Sequence, residues 1–181
     1  MTDRELIQGC LKENRHCQYE FFQRYAAKMM TVCIRYTRHH AEAEDVLQDA
    51  FVKIYDNLHK FEYKGSLEGW VRRIVVNTAL KNIQKSSFQR EMIGVENVLE
   101  EGHDPDVYSH LEEQELLNLV SKLPEGYRIV FNLFAIEGFD HKEISTLLGI
   151  QESTSRSQLV KARRMLKEGI EKLQKVELDR A

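Results

Sequence analysis

Ser157, Lys161 and Arg164 recur at helical spacing within LGIQESTSRSQLVKARRMLK, residues 148–167, a segment with five cations and four hydroxyls, Ser153, Thr154, Ser155 and Ser157. The whole chain has a formal net charge of -3, so this concentration is local. Hydroxyls near a helix start let the backbone approach a duplex groove and bond phosphates, while Arg and Lys neutralise phosphates or reach guanine edges. Wound at ~100° per residue, Leu159, Ala162 and Leu166 share one stripe. Ser157, Lys161 and Arg164 then lie near the opposite pole, with Val160 beside them and Arg156 and Arg163 on the flanks. A solvated basic helix would show the same face, so the neighbouring elements have to decide.

A second pattern lies upstream. Trp70, Arg73, Asn77, Lys81 and Gln84 align along a segment whose other stripe is Val71, Val75, Ala79 and Ile83. An unpaired nucleic-acid strand suits such a row, because rings stack on bases, amides read base edges and cations track phosphates. The competing role for Trp70 is a place in the core. Just before it, FEYKGS offers Phe61, Tyr63, Lys64 and Ser66 on a glycine-containing loop that could cup an extruded base or simply close a turn.

The third pattern is acidic. In AEAEDVLQDAFVKIYDNL, residues 41–58, the stripe Leu47, Ala50, Phe51, Ile54 and Leu58 opposes Asp45, Asp49, Val52 and Asp56, flanked by Gln48 and Lys53. Carboxylates interrupted by an outward valine fit a docking surface for a basic partner; a solvated acidic face is the alternative. Asp45 and Asp49 stand one turn apart, but with no His or third carboxylate converging on them a metal site is not expected.

Helices must position all three patterns. Apolar residues recur every three or four positions, and only 2 Pro and 9 Gly punctuate 181 residues, so the spacing predicts an all-α chain. Residues 93–121 hold eight acids and no Lys or Arg, whereas 63–92 hold six basic and two acidic residues. That contrast, with the Gly, Pro and Asp of GVENVLEEGHDPDVYSH, predicts a linker over 93–114 between helical domains at 1–92 and 115–181. In the second domain, a helix over 115–123 stops at Pro124, and the next is expected to start with that proline and end at Gly138. Asp140 can cap a short helix bearing Ile144, Leu147 and Leu148, and Gly149 can end it one tight turn before Glu152 or Ser153. This is the helix-turn-helix pattern, whose second helix enters the DNA major groove.

Composition narrows the alternatives. MTDRELIQGC has no apolar run of signal-peptide length, and no stretch approaches the ~18 apolar residues of a membrane span. Cys10, Cys17 and Cys33 lack close CxxC spacing and fit buried reduced thiols of a cytosolic protein. There is no nucleophile–base pair, phosphate-cradling loop or ligand cluster, so neither catalysis nor a cofactor is expected.

DVLQDAFVKIYDNLHKF followed by GSLEGWVRRIVVNTALKNIQK resembles the promoter-melting domain of bacterial sigma factors. LPEGYRIVFNLFAIEGFDHKEISTLLGIQESTSRSQLVKARRML resembles their C-terminal helix-turn-helix domain. Both segments in this order, over about residues 8–175, resemble an extracytoplasmic-function (ECF) sigma factor. The resemblance implies that Asp45, Gln48, Asp49, Phe51 and Lys53 match the helix that docks on the coiled coil of the polymerase β′ subunit. It further implies that Arg72, Arg73, Asn77 and Lys81 match the helix at the upstream edge of the minus-ten element, and that Phe61 to Ser66 match the loop that captures a flipped base. Arg156, Ser157, Val160 and Lys161 match positions meeting the minus-35 element, with Arg163 and Arg164 at its phosphate-contacting end. The pattern departs at Gly69, where many members have Thr, at Ser155, often Val, and at Gln158, frequently Arg.

The expectation is a non-catalytic, cytoplasmic, two-domain sigma factor that inserts in no membrane. Its partners would be core RNA polymerase, through the β′ and β subunits, promoter DNA and, as the resemblance implies, an anti-sigma factor. The rival is a homodimeric regulator with a helical sensor domain, which would bind a palindromic site unaided.

Overall fold

The computed structural model describes residues 1–37, 39–93 and 111–178. It divides into two compact units, Met1–Gly102 and His103–Ala181. Among the described residues every regular element is helical, and no helix is long and apolar enough to cross a membrane.

The first unit contains α1 (Asp3–Leu11), α2 (Arg15–Tyr36), α3 (His40–Asn57) and α4 (Leu67–Ile93), with a 3-10 turn at Leu58–Lys60 after α3. Short polar side chains start these helices. Thr2 and Glu5 form a capping box on α1, and the Asn14 carboxamide oxygen accepts from the His16 and Cys17 N–H groups at 3.0 and 3.2 Å. At α4 the Ser66 hydroxyl oxygen accepts from Gly69 N–H at 3.1 Å. Each bond satisfies donors that a helix start leaves orphaned.

Packing gathers α3 and α4 around α2. Phe21 is fully buried, its ring centroid 5.0 Å from Tyr25, 5.7 Å from Tyr55 and 6.4 Å from Phe51. The predicted α3 stripe, Leu47, Ala50, Phe51, Ile54 and Leu58, is buried throughout, as are Val71, Val75, Ala79 and Ile83 on α4. Val76, Leu80 and Thr78 join them, so α4 buries a broader face than the sequence stripe indicated. All three cysteines are free and buried; desolvation pushes the Cys10 thiol up to about 11 and the Cys33 thiol up to about 12.

The second unit contains α5 (Leu111–Ser121), α6 (Glu125–Phe131), a π-helical turn at Asn132–Ile136, α7 (His141–Leu148) and α8 (Glu152–Leu178). Val120 and Leu123 pack on Ala162 and Leu166 of α8, with Leu119, Tyr127 and Phe131 around them. Leu119 lies so close to Gly169 that a Cβ there would meet its Cδ2 at 2.7 Å, so a glycine lets α5 approach α8. Pro124 caps α6 instead of opening it: its ψ of 142° is extended, and helical geometry begins at Glu125. The expected linker is shortened at both ends, since α4 reaches Ile93 and α5 begins at Leu111; residues 94–110 lie outside the described ones.

Phe21 makes a sharp stability prediction. Phe21→Ala removes a fully buried ring from the junction of α2 and α3, and should lower unfolding free energy by roughly 3 to 5 kcal/mol in urea denaturation. A loss under about 1 kcal/mol would contradict this account of the core.

Candidate nucleic-acid and protein interfaces

The helix-turn-helix is built from its caps. Asp140 Oδ1 accepts from Glu143 N–H at 2.8 Å, and the Glu143 carboxylate accepts from Asp140 N–H at 2.9 Å. α7 ends at Gly149 in the left-handed conformation, φ 67°, where any side chain would be strained. Gln151 already accepts through its carbonyl from Ser155 N–H at 3.1 Å, so the turn to α8 is short.

Burial sets the rotation of α8. Ser155, Leu159, Ala162 and Leu166 face the unit's interior, and Ile144 of α7 is fully buried. Ser157, Val160, Lys161 and Arg164 therefore point outward, with Arg156 and Arg163 also exposed. The cations lie on nearby partners. Arg156 Nη2 sits 2.9 Å from Glu152, Arg164 Nε 3.9 Å from Glu168, Lys161 Nζ 5.8 Å from the Tyr127 ring centroid and Arg163 Cζ 5.6 Å from that of Phe134. Exposed pairs of this kind are worth well under ~1 kcal/mol, so a phosphate can replace the carboxylates cheaply.

Two of the predicted positions are less exposed than the rest. Gln158 is half-buried, its amide nitrogen 3.1 Å from where a Cβ on Gly126 would lie, so it packs toward α6. Thr154 is also half-buried, while Ser153 is exposed. Ser155, outside the proposed contact set, is fully buried, and its hydroxyl lies 2.9 Å from His141 Nδ1. The His141 ring stacks on Phe134 at 4.6 Å, which ties α7 to the residue under Arg163. The signal was present in the spacing: Ser155 lies four residues before Leu159, on the same stripe.

In the first unit, α4 turns a second row outward. Arg73, Lys81 and Gln84 are exposed, and Arg72 and Asn77 are half-buried. From Trp70 to Lys81 the row extends about 16 Å. Trp70 itself is half-buried, 5.6 Å from the Phe61 ring, which in turn lies 5.0 Å from Tyr63. Phe61 is buried at 8% exposure, so it forms the floor of this ladder. Tyr63 is the exposed rung, at 52%, on a backbone with φ 59°; Gly65 follows at φ 101°. A tyrosine in the left-handed region is sterically costly, and such strain concentrates at functional loops. Lys64, exposed, pairs with Glu62 at 2.6 Å, and Ser66 serves as the cap of α4.

On α3, Asp45, Gln48, Asp49, Val52 and Asp56 are all exposed, and Val52 is 61% exposed. None of the three aspartates forms an ion pair among the described residues. Lys53 is exposed as well, and its Nζ donates to the buried Thr78 hydroxyl of α4 at 3.4 Å, linking the two helices. Phe51, at 4% exposure, belongs to the core against Phe21 and Phe22.

Comparison with known proteins places both units in one family. The family model described as Sigma-70 region 2 matches residues 21–89, and that described as Sigma-70, region 4 matches residues 113–166. The ECF RNA polymerase sigma-E factor of Haemophilus influenzae is 27% identical over 188 residues, covering 96% of this chain and 97% of that protein. The ECF RNA polymerase sigma-E factor of Escherichia coli K12 is 27% identical over 186 residues, 96% of each. The RNA polymerase sigma-H factor of Pseudomonas aeruginosa is 23% identical over 183 residues, covering 94% of this chain and 95% of that one. Among solved structures, the fold resembles the sigma factor RpoE bound to the anti-sigma factor NepR from Bartonella quintana, with TM-score 0.59 and 20% identity over 84% of this chain and 96% of that one. It also resembles CnrH in complex with the cytosolic domain of CnrY, with TM-score 0.50 and 20% identity over 93% and 97%. With the region 2 and region 4 signatures in order and together spanning more than half of its length, the chain belongs to the sigma-70 family, as a promoter-recognising sigma factor of the ECF type.

Proposed function

We propose that this sigma factor divides its work between three surfaces. The exposed face of α3, with Asp45, Gln48, Asp49, Val52 and Asp56, docks on a basic coiled coil of core RNA polymerase. The outward row of α4 and the loop at Tyr63 hold the minus-ten region open, and α8 reads the minus-35 duplex. Residues 1–92 serve as the docking and melting domain, and residues 115–181 as the upstream-binding domain. The protein works as a binding subunit in the cytoplasm and performs no catalysis of its own.

The observation that carries this reading is the pairing, in one chain, of a cationic recognition helix with a second row built for an unpaired strand. A duplex reader needs only the first. Opening a base step costs a few kcal/mol, and an exposed Tyr63 ring on the Phe61–Trp70 ladder can return part of that by stacking. Arg73 and Lys81 would then track the backbone, with the half-buried Asn77 on the same row available to a base edge; Arg72 lies ~140° around the helix from Asn77 and so meets a different part of the DNA. Two neighbouring structures are complexes: RpoE with the anti-sigma factor NepR, and CnrH with the cytosolic domain of CnrY. By the same logic an anti-sigma partner would cover one of these exposed faces and hold the protein inactive.

Run-off transcription with purified protein and core polymerase on genomic promoter fragments tests the whole reading, and specific transcripts absent from core alone are expected. A folded protein that yields none would refute it. Asp49→Arg should abolish co-purification with core polymerase and leave the far-ultraviolet circular dichroism unchanged, since the side chain is solvent-facing. Unchanged association would remove α3 from the interface. On the upstream element, Lys161→Ala should weaken binding by roughly 1 to 3 kcal/mol and alter sequence preference, whereas Arg164→Ala should weaken all sequences alike and flatten the salt dependence. Indistinguishable behaviour of the two variants would count against base reading by Lys161.

A further inference from the structure

Val160 is the most exposed large hydrophobic residue among the described ones, at 66%. It stands on the exposed face of α8, with Ser157, Lys161 and Arg164 to one side and Arg156 and Arg163 to the other. Its neighbours each have a partner in the free protein. The Ser157 hydroxyl donates to Thr154 O at 2.9 Å, Arg156 and Arg164 pair with Glu152 and Glu168, and Lys161 lies over the Tyr127 ring. The isopropyl group has only water, and leaving it exposed forgoes burial that a core position would supply.

The chemistry of a major groove gives that group a natural counterpart. Of the four bases only thymine presents an apolar group there, the C5-methyl, and small apolar side chains contact it. A β-branched side chain on a helix has one strongly preferred rotamer, so Val160 meets the groove already ordered. Arg163 and Arg164 settle on phosphates, which fixes the depth and register at which the isopropyl group arrives. We propose that Val160 is a specificity-determining residue that reads the C5-methyl of one thymine in the upstream promoter element. This rests on the assignment of α8 to duplex reading, and adds the base class that the helix selects.

The test uses holoenzyme and a promoter fragment that it transcribes. Each thymine of the upstream element is replaced singly by deoxyuridine, which keeps the Watson–Crick edge and the O4 acceptor and lacks only the methyl group. For the native protein, one position should bind about fourfold more weakly, the size expected for one buried methyl, and the others should be unaffected. Val160→Ala, a change at an exposed site that shortens the apolar contact, should lose most of the preference for thymine over uracil at that position. If no single replacement weakens binding, or if Val160→Ala keeps the same preference for thymine, the proposal is overturned while promoter selection by α8 stands. Failure of the holoenzyme to select any upstream element would overturn both, and is distinguished by the absence of protection in that region. Strong protection with a Val160→Ala variant defective only in protein association would likewise overturn it, assigning the valine to a protein partner.

Discussion

An amphipathic helix can bury one stripe, and everything functional here follows from which stripe each helix gives up. Desolvating a carboxylate or guanidinium without compensation costs several kcal/mol, while burying a Val, Leu or Phe returns about 1.5 to 3. The aspartates of α3, Arg73 and Lys81 of α4 and Arg164 of α8 are thus excluded from the interior by the residues that enter it. Phe21, Ile54, Val71 and Val75 in the first unit, and Leu159 and Ala162 in the second, fix the rotation of their helices. The outward rows inherit that precision. A slip of one residue would rotate Val160 by ~100° and dissolve the reading face.

Local devices then decide where each face begins. Ser66 and Asp140 start their helices through side-chain hydrogen bonds, and Gly149 permits the short turn between α7 and α8. Between the capped helices, His141 against Ser155 joins α7 to α8, and Arg163 lies over the Phe134 ring on which His141 stacks. The serine that replaces an apolar residue on the buried stripe of α8 is thereby satisfied, as a buried hydroxyl must be. In the first unit, the Lys53–Thr78 hydrogen bond joins α3 to α4, the two helices whose outward faces are proposed for polymerase docking and strand opening. An amino group that sequence spacing placed on the docking face also reaches α4.

The charge distribution fits a subunit better than a free-standing DNA binder. At a net charge of -3 the chain lacks the overall attraction to phosphate that lone DNA-binding proteins use, although α8 is cationic. Its exposed cations rest on Glu152 and Glu168, weak partners that exchange readily. Under the proposed division of work, affinity would come from assembling several modest surfaces on one polymerase, because each tethered contact binds at a raised effective concentration.

Periodicity alone determined the all-α fold, the stripes of α3, α4 and α8, the caps at Ser66 and Asp140 and the glycine at the helix-turn-helix corner, because these depend on neighbours within a turn or two. The cationic face of α8 and the acidic face of α3 were legible for the same reason. The first two helices were not resolved by the sequence reading, and the roles of Phe61, Lys53 and Gln158 depended on residues distant in the chain. Phe61 is buried because Trp70 and Tyr63 close over it; Lys53 turns to Thr78, and Gln158 lies over Gly126. Only tertiary structure could decide these. A side chain's hydrogen-bonding and packing partners are set by which helices meet, and that choice is made by the whole core.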